Sequence, residues 1–129
     1  MIDDVPATGP LAGMVVADFS RILAGPYATM LLADLGATVI KVEGPRTGDD
    51  TRTWVPPTTA DGTATYYLSI NRNKRSIVLD LADPADLDVA QRLAARADVM
   101  IENFKPGGLR RFGLDHETVA AGNPRVVYC

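Results

Sequence analysis

The sequence predicts an α/β protein built on an open, doubly wound and mainly parallel sheet with helices on both faces. Strand signals alternate with helical signals along the chain, which is typical of βαβ units with right-handed crossovers. The first strand, within Met14–Phe19, is apolar except for Asp18, as expected for a strand that is covered on both faces. The 129 residues are 47% hydrophobic and 22% charged, which suits one domain with a buried core.

A helix, a second strand and a long loop are predicted between residues 26 and 65. Pro26 is expected in the first turn of the helix, where its missing N–H costs little, and Gly36 is a natural cap at the end. One face of this helix carries four residues at helical spacing: Tyr27, Met30, Leu31 and Leu35. The second strand is Thr38–Val42. The segment 44–65 has no periodicity and is dense in Gly, Pro and Thr, which predicts a lid or binding loop.

The second half of the chain continues the alternation of strands and helices. The segment Tyr66–Ile70 is apolar but too short to assign as helix or strand. Asp83 is predicted to cap a helix with Pro84 at its first position, and a short helix is expected near His116–Ala121. Three further strands are expected: Ser76–Leu81, Val99–Ile101 and Arg125–Tyr128.

Composition and charge exclude several classes of function. The formal net charge of -3 gives no bulk attraction to nucleic acid, so a partner is expected in a pocket. The single cysteine, Cys129, cannot form a disulfide within the chain or a cysteine-based zinc site. Neither a signal peptide nor an apolar run long enough for a membrane helix is found. A cytoplasmic protein without a metal and without a membrane partner is therefore expected.

The carboxyl ends of the predicted strands locate a binding crevice. In open parallel sheets, ligands bind beyond these ends, at the point where the strand order reverses. Four segments should line the crevice: Ser20–Gly25, Glu43–Arg46, Leu81–Asp83 and Asn103–Arg111. The basic run 71–76, NRNKRS, precedes the third strand and is therefore expected at the opposite edge, as a solvated turn or a subunit contact.

The segment FKPGGLRRFG, residues 104–113, has the parts of an anion site. Gly107 and Gly108 allow close backbone approach, the start of a short helix offers N–H groups, and Arg111 can contact a phosphate in a bidentate manner. A plain glycine-rich helix start with a solvated arginine pair is the alternative. The position after the fourth strand favours the anion site.

Glu43 raises the alternative of a dinucleotide-binding domain. An acidic residue at the end of the second strand, about 20 residues after the first turn, is where such domains bind the ribose. The first turn, FSRILAGP, contains Gly25 but neither the GxG motif nor a third glycine. A nicotinamide-dependent dehydrogenase is therefore disfavoured.

Candidate catalytic side chains are sparse. His116 has no partner at a suggestive spacing and is expected to be exposed, whereas Cys129 ends an apolar strand and is expected to be a buried thiol. Asp49 and Asp50 are expected to be a hydrated pair in the long loop. No Ser/His/Asp set, P-loop or metal-ligand spacing can be assembled. The residues alone thus predict a nucleotide-type ligand and identify no nucleophile.

Four blocks of sequence, in the same order, resemble a known family. They are residues 10–43, 71–81, 97–114 and 123–129. Together they resemble the N-terminal portion of the family III CoA-transferases, the carnitine and bile-acid CoA-transferase group, which includes formyl-CoA transferase and the α-methylacyl-CoA racemases. The resemblance implies a Rossmann-like large domain that binds coenzyme A, with residues 1–129 as its N-terminal, CoA-binding portion.

The resemblance also implies which residues contact CoA. They lie in the first turn, at the ends of the second and third strands and in the segment after the fourth strand: Leu23, Ala24, Gly44, Leu79, Asp80, Leu81, Ala82, Asn103, Phe104, Lys105 and Arg111. The family resemblance places no catalytic residue and no metal within the chain.

Three of these positions depart from the family pattern. Leu23 stands where formyl-CoA transferase has a glutamine, Gly44 where some members have an arginine, and Ala82 where some have a lysine. Two cationic contacts are thus missing, so CoA is expected to bind more weakly or in a different orientation. Three basic residues could replace them: Arg46, Lys105 and Arg110.

The resemblance places the family's catalytic residues downstream of Cys129. Its transferases use an aspartate that attacks the acyl-CoA carbonyl to give a mixed anhydride, and its racemases use a His and Asp pair. Three interpretations stay open: part of an acyl-CoA:carboxylate CoA-transferase, part of an acyl-CoA racemase, or a non-catalytic CoA-binding module. The chain alone is expected to be inactive. Expected partners are an acyl-CoA and a small carboxylic acid, with a homodimer for the full-length protein and self-association for the fragment.

Overall fold

Five parallel strands form the sheet at the centre of the protein. The computed structural model describes residues 8–129. The strands are β1 (Val15–Asp18), β2 (Thr38–Glu43), β3 (Arg75–Val78), β4 (Val99–Ile101) and β5 (Val127–Tyr128). They lie in the order β3–β2–β1–β4–β5, and each neighbouring pair is parallel. The predicted α/β class with a parallel sheet is confirmed, and the strand order reverses beside β1.

Four α-helices are present in residues 8–129. They are α1 (Ala24–Asp34), α2 (Thr65–Ser69), α3 (Pro84–Arg96) and α4 (His116–Gly122). Two short 3-10 turns, Asp50–Thr53 and Arg110–Phe112, lie in the segments that follow β2 and β4. Both of these turns lie in segments that border the candidate site described below.

Two apolar clusters cover the two faces of the sheet. On one face, Val16 and Val39 pack with Ala33 of α1. On the other face, Ala17 and Met100 pack with residues of α3 and α4. Because successive side chains of a strand point to opposite faces, adjacent residues of β1 contribute to both clusters. This arrangement explains the nearly unbroken apolar run of the first strand.

Several element bounds differ from the sequence-based expectations. Helix α1 begins at Ala24, two residues before Pro26, and the unassigned apolar segment forms the short helix α2. Strand β3 ends at Val78, earlier than predicted, because the chain then bends into a turn. In that turn the N–H of Asp83 donates to the carbonyl of Asp80 at 2.9 Å.

The basic run 71–76 is only partly solvated, contrary to expectation. The ammonium group of Lys74 is buried and lies 3.1 Å from the carboxylate of Asp18. Arg72 forms an ion pair with Asp34 at the surface. A long lysine side chain can carry its charge well away from its own Cα, so a residue outside the strand reaches the sheet interior.

Asp83 caps helix α3, as the sequence predicts. Its carboxylate accepts hydrogen bonds from the N–H groups of Ala85 at 2.8 Å and Asp86 at 3.2 Å. We expect Asp83→Ala to lower the free energy of unfolding, measured in urea, by about 1 kcal/mol. The control is Asp88→Ala in the same helix, which removes one exposed ion pair with Arg92 and should cost less than half as much. Equal losses would contradict the capping role.

Candidate functional site

A cleft of about 460 Å³ opens at the carboxyl ends of β1, β2 and β3. Its walls come from the β1–α1 turn, the loop after β2, the bend after β3 and the segment after β4. Six side chains give it an apolar floor: Phe19, Val42, Leu79, Leu81, Phe104 and Phe112. A concave site of this size, mostly apolar with a few polar groups, is typical of small-molecule binding.

Most of the predicted CoA-contact residues line this cleft. They are Gly44, Leu79, Asp80, Leu81, Ala82, Phe104 and Arg111. The other four lie outside the lining. Leu23 is the N-cap of α1 and Ala24 its first residue. Lys105 lies in an exposed turn, and the side chain of Asn103 binds the backbone of Arg21. Contact between any of these residues and a ligand stays a prediction.

Three arginines bring positive charge to the cleft. Arg21, Arg46 and Arg111 line it. The guanidinium of Arg21 lies 5.4 Å from the centre of the Phe104 ring, and that of Arg111 lies 4.5 Å from the Phe112 ring. Arg21 was absent from the predicted contacts, although its place in the turn after β1 could have identified it. Guanidinium groups beside an apolar floor suit a ligand with both anionic and aromatic parts.

Residues of the glycine-rich turn after β4 line two different cavities. Arg111 lines the cleft, whereas Gly107, Gly108 and Arg110 line a separate cavity of about 260 Å³. That cavity is rich in carboxylates, and the guanidinium of Arg110 lies 3.7 Å from the carboxylate of Glu117. Consecutive side chains of a 3-10 turn point about 120° apart, so neighbouring arginines face different directions. The residues that the sequence groups into one anion site thus line two cavities, and anion binding by this turn stays a prediction.

Two buried ion pairs near the β1–α1 turn were not predicted. The ammonium of Lys41 lies 2.8 Å from the carboxylate of Asp49, and that of Lys74 lies 3.1 Å from Asp18, with each side chain at most 2% exposed. Asp49 was expected to be hydrated, but its pairing with Lys41 allows it to be buried. Asp18 and Lys41 are charged residues within otherwise apolar strands, and this pattern was the sequence signal from which buried ion pairs could have been predicted.

Glu43 connects the loop after β2 to the sheet. Its oxygens accept two hydrogen bonds from Arg52 (2.7 and 2.8 Å), and one each from Ser76 (2.7 Å), Tyr67 (3.0 Å) and the Asp49 N–H (2.9 Å). Burial raises the pKa of Glu43, but the hydrogen bonds from Arg52 and Ser76 outweigh it and lower the pKa from 4.5 to about 2. Because both oxygens are occupied, Glu43 is poorly suited to bind a ribose, which disfavours the dinucleotide alternative.

The β1–α1 turn has an unusual backbone. Ile22 has a φ of 72°, in the left-handed region that β-branched residues rarely adopt. Gly25, the second residue of α1, packs against Ser20 of this turn, and a Cβ at Gly25 would lie 2.3 Å from the Ser20 side chain. The glycine is therefore required for packing within the turn.

His116 and Cys129 form no catalytic pair. His116 is exposed, as expected, and its ring lies edge to face against Tyr128 with 5.5 Å between centres. Cys129 was expected to be buried but is exposed, although its backbone is hydrogen-bonded to Met100 and Glu102. Among residues 8–129, no group of three His, Cys, Asp or Glu side chains is arranged to hold a metal ion. In the same range no helix has the length and apolarity needed to span a membrane.

Comparisons with known proteins identify relatives over nearly the whole chain. The model of a family described as CoA-transferase family III matches residues 11–129. The succinate–glutarate CoA-transferase of Agrobacterium fabrum is 52% identical over 125 residues, which cover 93% of this chain and 31% of that protein. The human succinyl-CoA:glutarate CoA-transferase is 52% identical over 120 residues, which cover 93% of this chain and 27% of that protein.

Solved structures show the same likeness. A CAIB/BAIF family protein from Brucella suis superposes with a TM-score of 0.89 and 51% identity, covering 94% of this chain and 32% of that one. The protein Rv3272 of Mycobacterium tuberculosis superposes with a TM-score of 0.82 and 39% identity, covering 95% and 33% of the two chains. The present chain thus spans about a third of the length of the relatives it matches.

Proposed function

Because the chain belongs to CoA-transferase family III, we propose that it forms the CoA-binding part of an enzyme that moves CoA between carboxylic acids. The observation that carries this proposal is the cleft beside β1, where Arg21, Arg46 and Arg111 accompany an apolar floor. CoA combines phosphates and an adenine ring with a long uncharged arm. Guanidinium groups bind phosphates well, and an apolar floor suits the ring and the arm.

On this proposal, Arg46 supplies the positive charge that some family members provide at the positions of Gly44 and Ala82. Gly44 and Ala82 contribute no cation to the lining. Of the three basic residues considered as replacements, Arg46 lines the cleft, whereas Lys105 and Arg110 do not. Arg21 adds a further cation on the side of the first turn. Leu23 and Ala24, at the end of that turn and the start of α1, would lie towards the thioester end of CoA.

The role of this chain in the reaction would be to bind and orient CoA. In the transfer, a carboxylate of the enzyme attacks the thioester carbonyl, forms a mixed anhydride and releases the CoA thiolate. The thiolate then attacks the enzyme's carbonyl of the anhydride, which gives an enzyme–CoA thioester and releases the donor acid. The acceptor acid takes CoA by the reverse of these two steps and regenerates the carboxylate. We propose that this nucleophile belongs to a part of the parent protein outside the present chain. The chain alone would therefore bind CoA without transferring it. The relatives' names, which are those of acyl-CoA:carboxylate transferases, favour this activity over racemisation.

Two adjacent arginines provide a test of the proposal. Arg111 lines the cleft and Arg110 lines the other cavity, so they form a matched pair of variants. We expect Arg111→Ala to weaken CoA binding, measured by isothermal titration calorimetry, by about 10-fold or more, as for the loss of a hydrogen bond to a charged group. Arg110→Ala removes the same charge and should change the affinity less than about twofold. Equal losses in the two variants would contradict the proposed site.

A further inference from the structure

We propose that Asn103 and Asp49 are positioning residues that hold Arg21 and Ile22 in a strained backbone conformation and so place the Arg21 guanidinium at the cleft. The inference rests on the proposed function, in which this cleft binds CoA. It gives Asn103 a role different from the direct contact with CoA that the family resemblance implies.

Asn103 holds the backbone of Arg21 from the segment after β4. Its Oδ1 accepts the N–H of Arg21 at 2.9 Å, and its Nδ2 donates to the carbonyl of Arg21 at 2.7 Å. The amide side chain thus pairs with both backbone polar groups of one residue. Neither aspartate nor leucine offers both a donor and an acceptor, so this contact depends on the amide.

Asp49 holds the next residue from the loop after β2. The N–H of Ile22 lies 3.4 Å and 3.3 Å from its two carboxylate oxygens. Asp49 is itself fixed by the Lys41 ammonium at 2.8 Å and by hydrogen bonds from the N–H and hydroxyl of Thr51. Lys41 also donates to the carbonyl of Ser20 at 3.0 Å. Two separate segments therefore fix consecutive N–H groups of the turn.

Ile22 requires such support because of its backbone angle. A β-branched residue at a φ of 72° is strained, and strain of this kind persists only where the surroundings hold it. Such strain is concentrated at binding sites. Release of Ile22 to a negative φ would redirect the preceding Arg21, whose guanidinium now lies 5.4 Å from the Phe104 ring and 3.9 Å from the carboxylate of Asp50.

The experiment combines a loss of the hydrogen bonds with a relief of the strain. Asn103→Leu removes both hydrogen bonds to Arg21 at similar volume, and should weaken CoA binding in calorimetry by about tenfold. Adding Ile22→Gly should return the affinity to within about threefold of the unsubstituted chain, because glycine adopts positive φ without a steric penalty. If Asn103 instead contacts CoA directly, Ile22→Gly will not restore binding.

A second measurement reports the backbone conformation of the turn directly. A strong nuclear Overhauser effect between the amide and α protons of Ile22 is the signature of positive φ. It should be strong in the unsubstituted chain and weak in Asn103→Leu. Asn123→Leu is the matched control, because Asn123 donates to the carbonyls of Ala94 and Ala97, away from the cleft. This variant should retain both the signal and the CoA affinity.

The outcomes separate the two proposals. A strong signal retained in Asn103→Leu, or an affinity loss that Ile22→Gly leaves unchanged, would overturn the positioning role. If Asn103→Leu is poorly folded, Asn103→Asp takes its place, since it keeps the acceptor and loses the donor. Absence of CoA binding by the unsubstituted chain would overturn the proposed function, and the signal of Ile22 would still decide whether Asn103 holds the turn.

Discussion

Replacing Lys41 by methionine should lower the free energy of unfolding by about 3–5 kcal/mol. The substitution leaves the buried carboxylate of Asp49 without the ammonium that lies 2.8 Å away. Removing one partner of a buried ion pair is more harmful than removing both, because the remaining charge stays desolvated and loses its compensating attraction. Methionine fills most of the volume of the lysine stem, so the loss reflects the charge and not a cavity. Urea unfolding at pH 7 measures it.

Arg92→Met is the matched control for burial. Arg92 pairs with Asp88 at 3.0 Å, but the two side chains are 64% and 65% exposed. Exposed helical ion pairs contribute only about 0.3–0.5 kcal/mol, so this variant should unfold at nearly the same urea concentration as the unsubstituted chain. Comparable losses in the two variants would show that burial does not determine the contribution of these pairs.

Acidification should remove about 3 kcal/mol of stability through Glu43. The structure lowers the pKa of this buried carboxyl from 4.5 to about 2. Each pKa unit corresponds to about 1.4 kcal/mol, so a pKa difference of about 2.5 corresponds to about 3–4 kcal/mol. A carboxyl whose pKa is lowered by folding stabilises the folded state fully above its unfolded pKa. The contribution should therefore decline below about pH 4.5 and vanish near pH 2.

Glu43→Gln isolates this contribution, because glutamine does not titrate. Urea unfolding at a series of pH values should show the variant less stable by about 3 kcal/mol at pH 7, with the difference closing as the pH falls to 2. Glu117→Gln serves as control, since the Glu117 side chain is 82% exposed. Its stability should follow that of the unsubstituted chain at each pH. A gap between Glu43→Gln and the unsubstituted chain that stays constant down to pH 2 would contradict the lowered pKa.

The edge of the sheet that carries the cleft could be predicted from the sequence. Its location depends only on strand order and direction, which alternating apolar segments indicate. Gly44, Leu81 and Ala82 belong to segments that were expected at the strand ends, so their place in the lining could be anticipated. The same reasoning identified the segment Asn103–Arg111, of which Phe104 and Arg111 line the cleft, whereas the family resemblance added Leu79 and Asp80.

The missed features depend on side-chain directions and on contacts between distant segments. Lys74 precedes β3 in the sequence, yet its charge lies beside Asp18 at the end of β1. Arg110 and Arg111 are adjacent, but the 3-10 turn directs them into different cavities. The left-handed Ile22 depends on Asn103 and Asp49, which are remote from it in sequence, and local propensity alone predicts the opposite sign of φ.

Gly25 and Gly44 differ in the space around them, and therefore in what constrains the residue at each position. A side chain at Gly25 would collide with Ser20, whereas a Cβ at Gly44 would have no atom within 4 Å. In a library screened only for folding, position 25 should stay glycine while position 44 should accept many residues. If Gly44 contacts CoA, as the proposed function implies, the same library screened for CoA binding should restrict position 44 as well. Folding therefore requires glycine at position 25, whereas at position 44 the choice of residue is left to ligand binding.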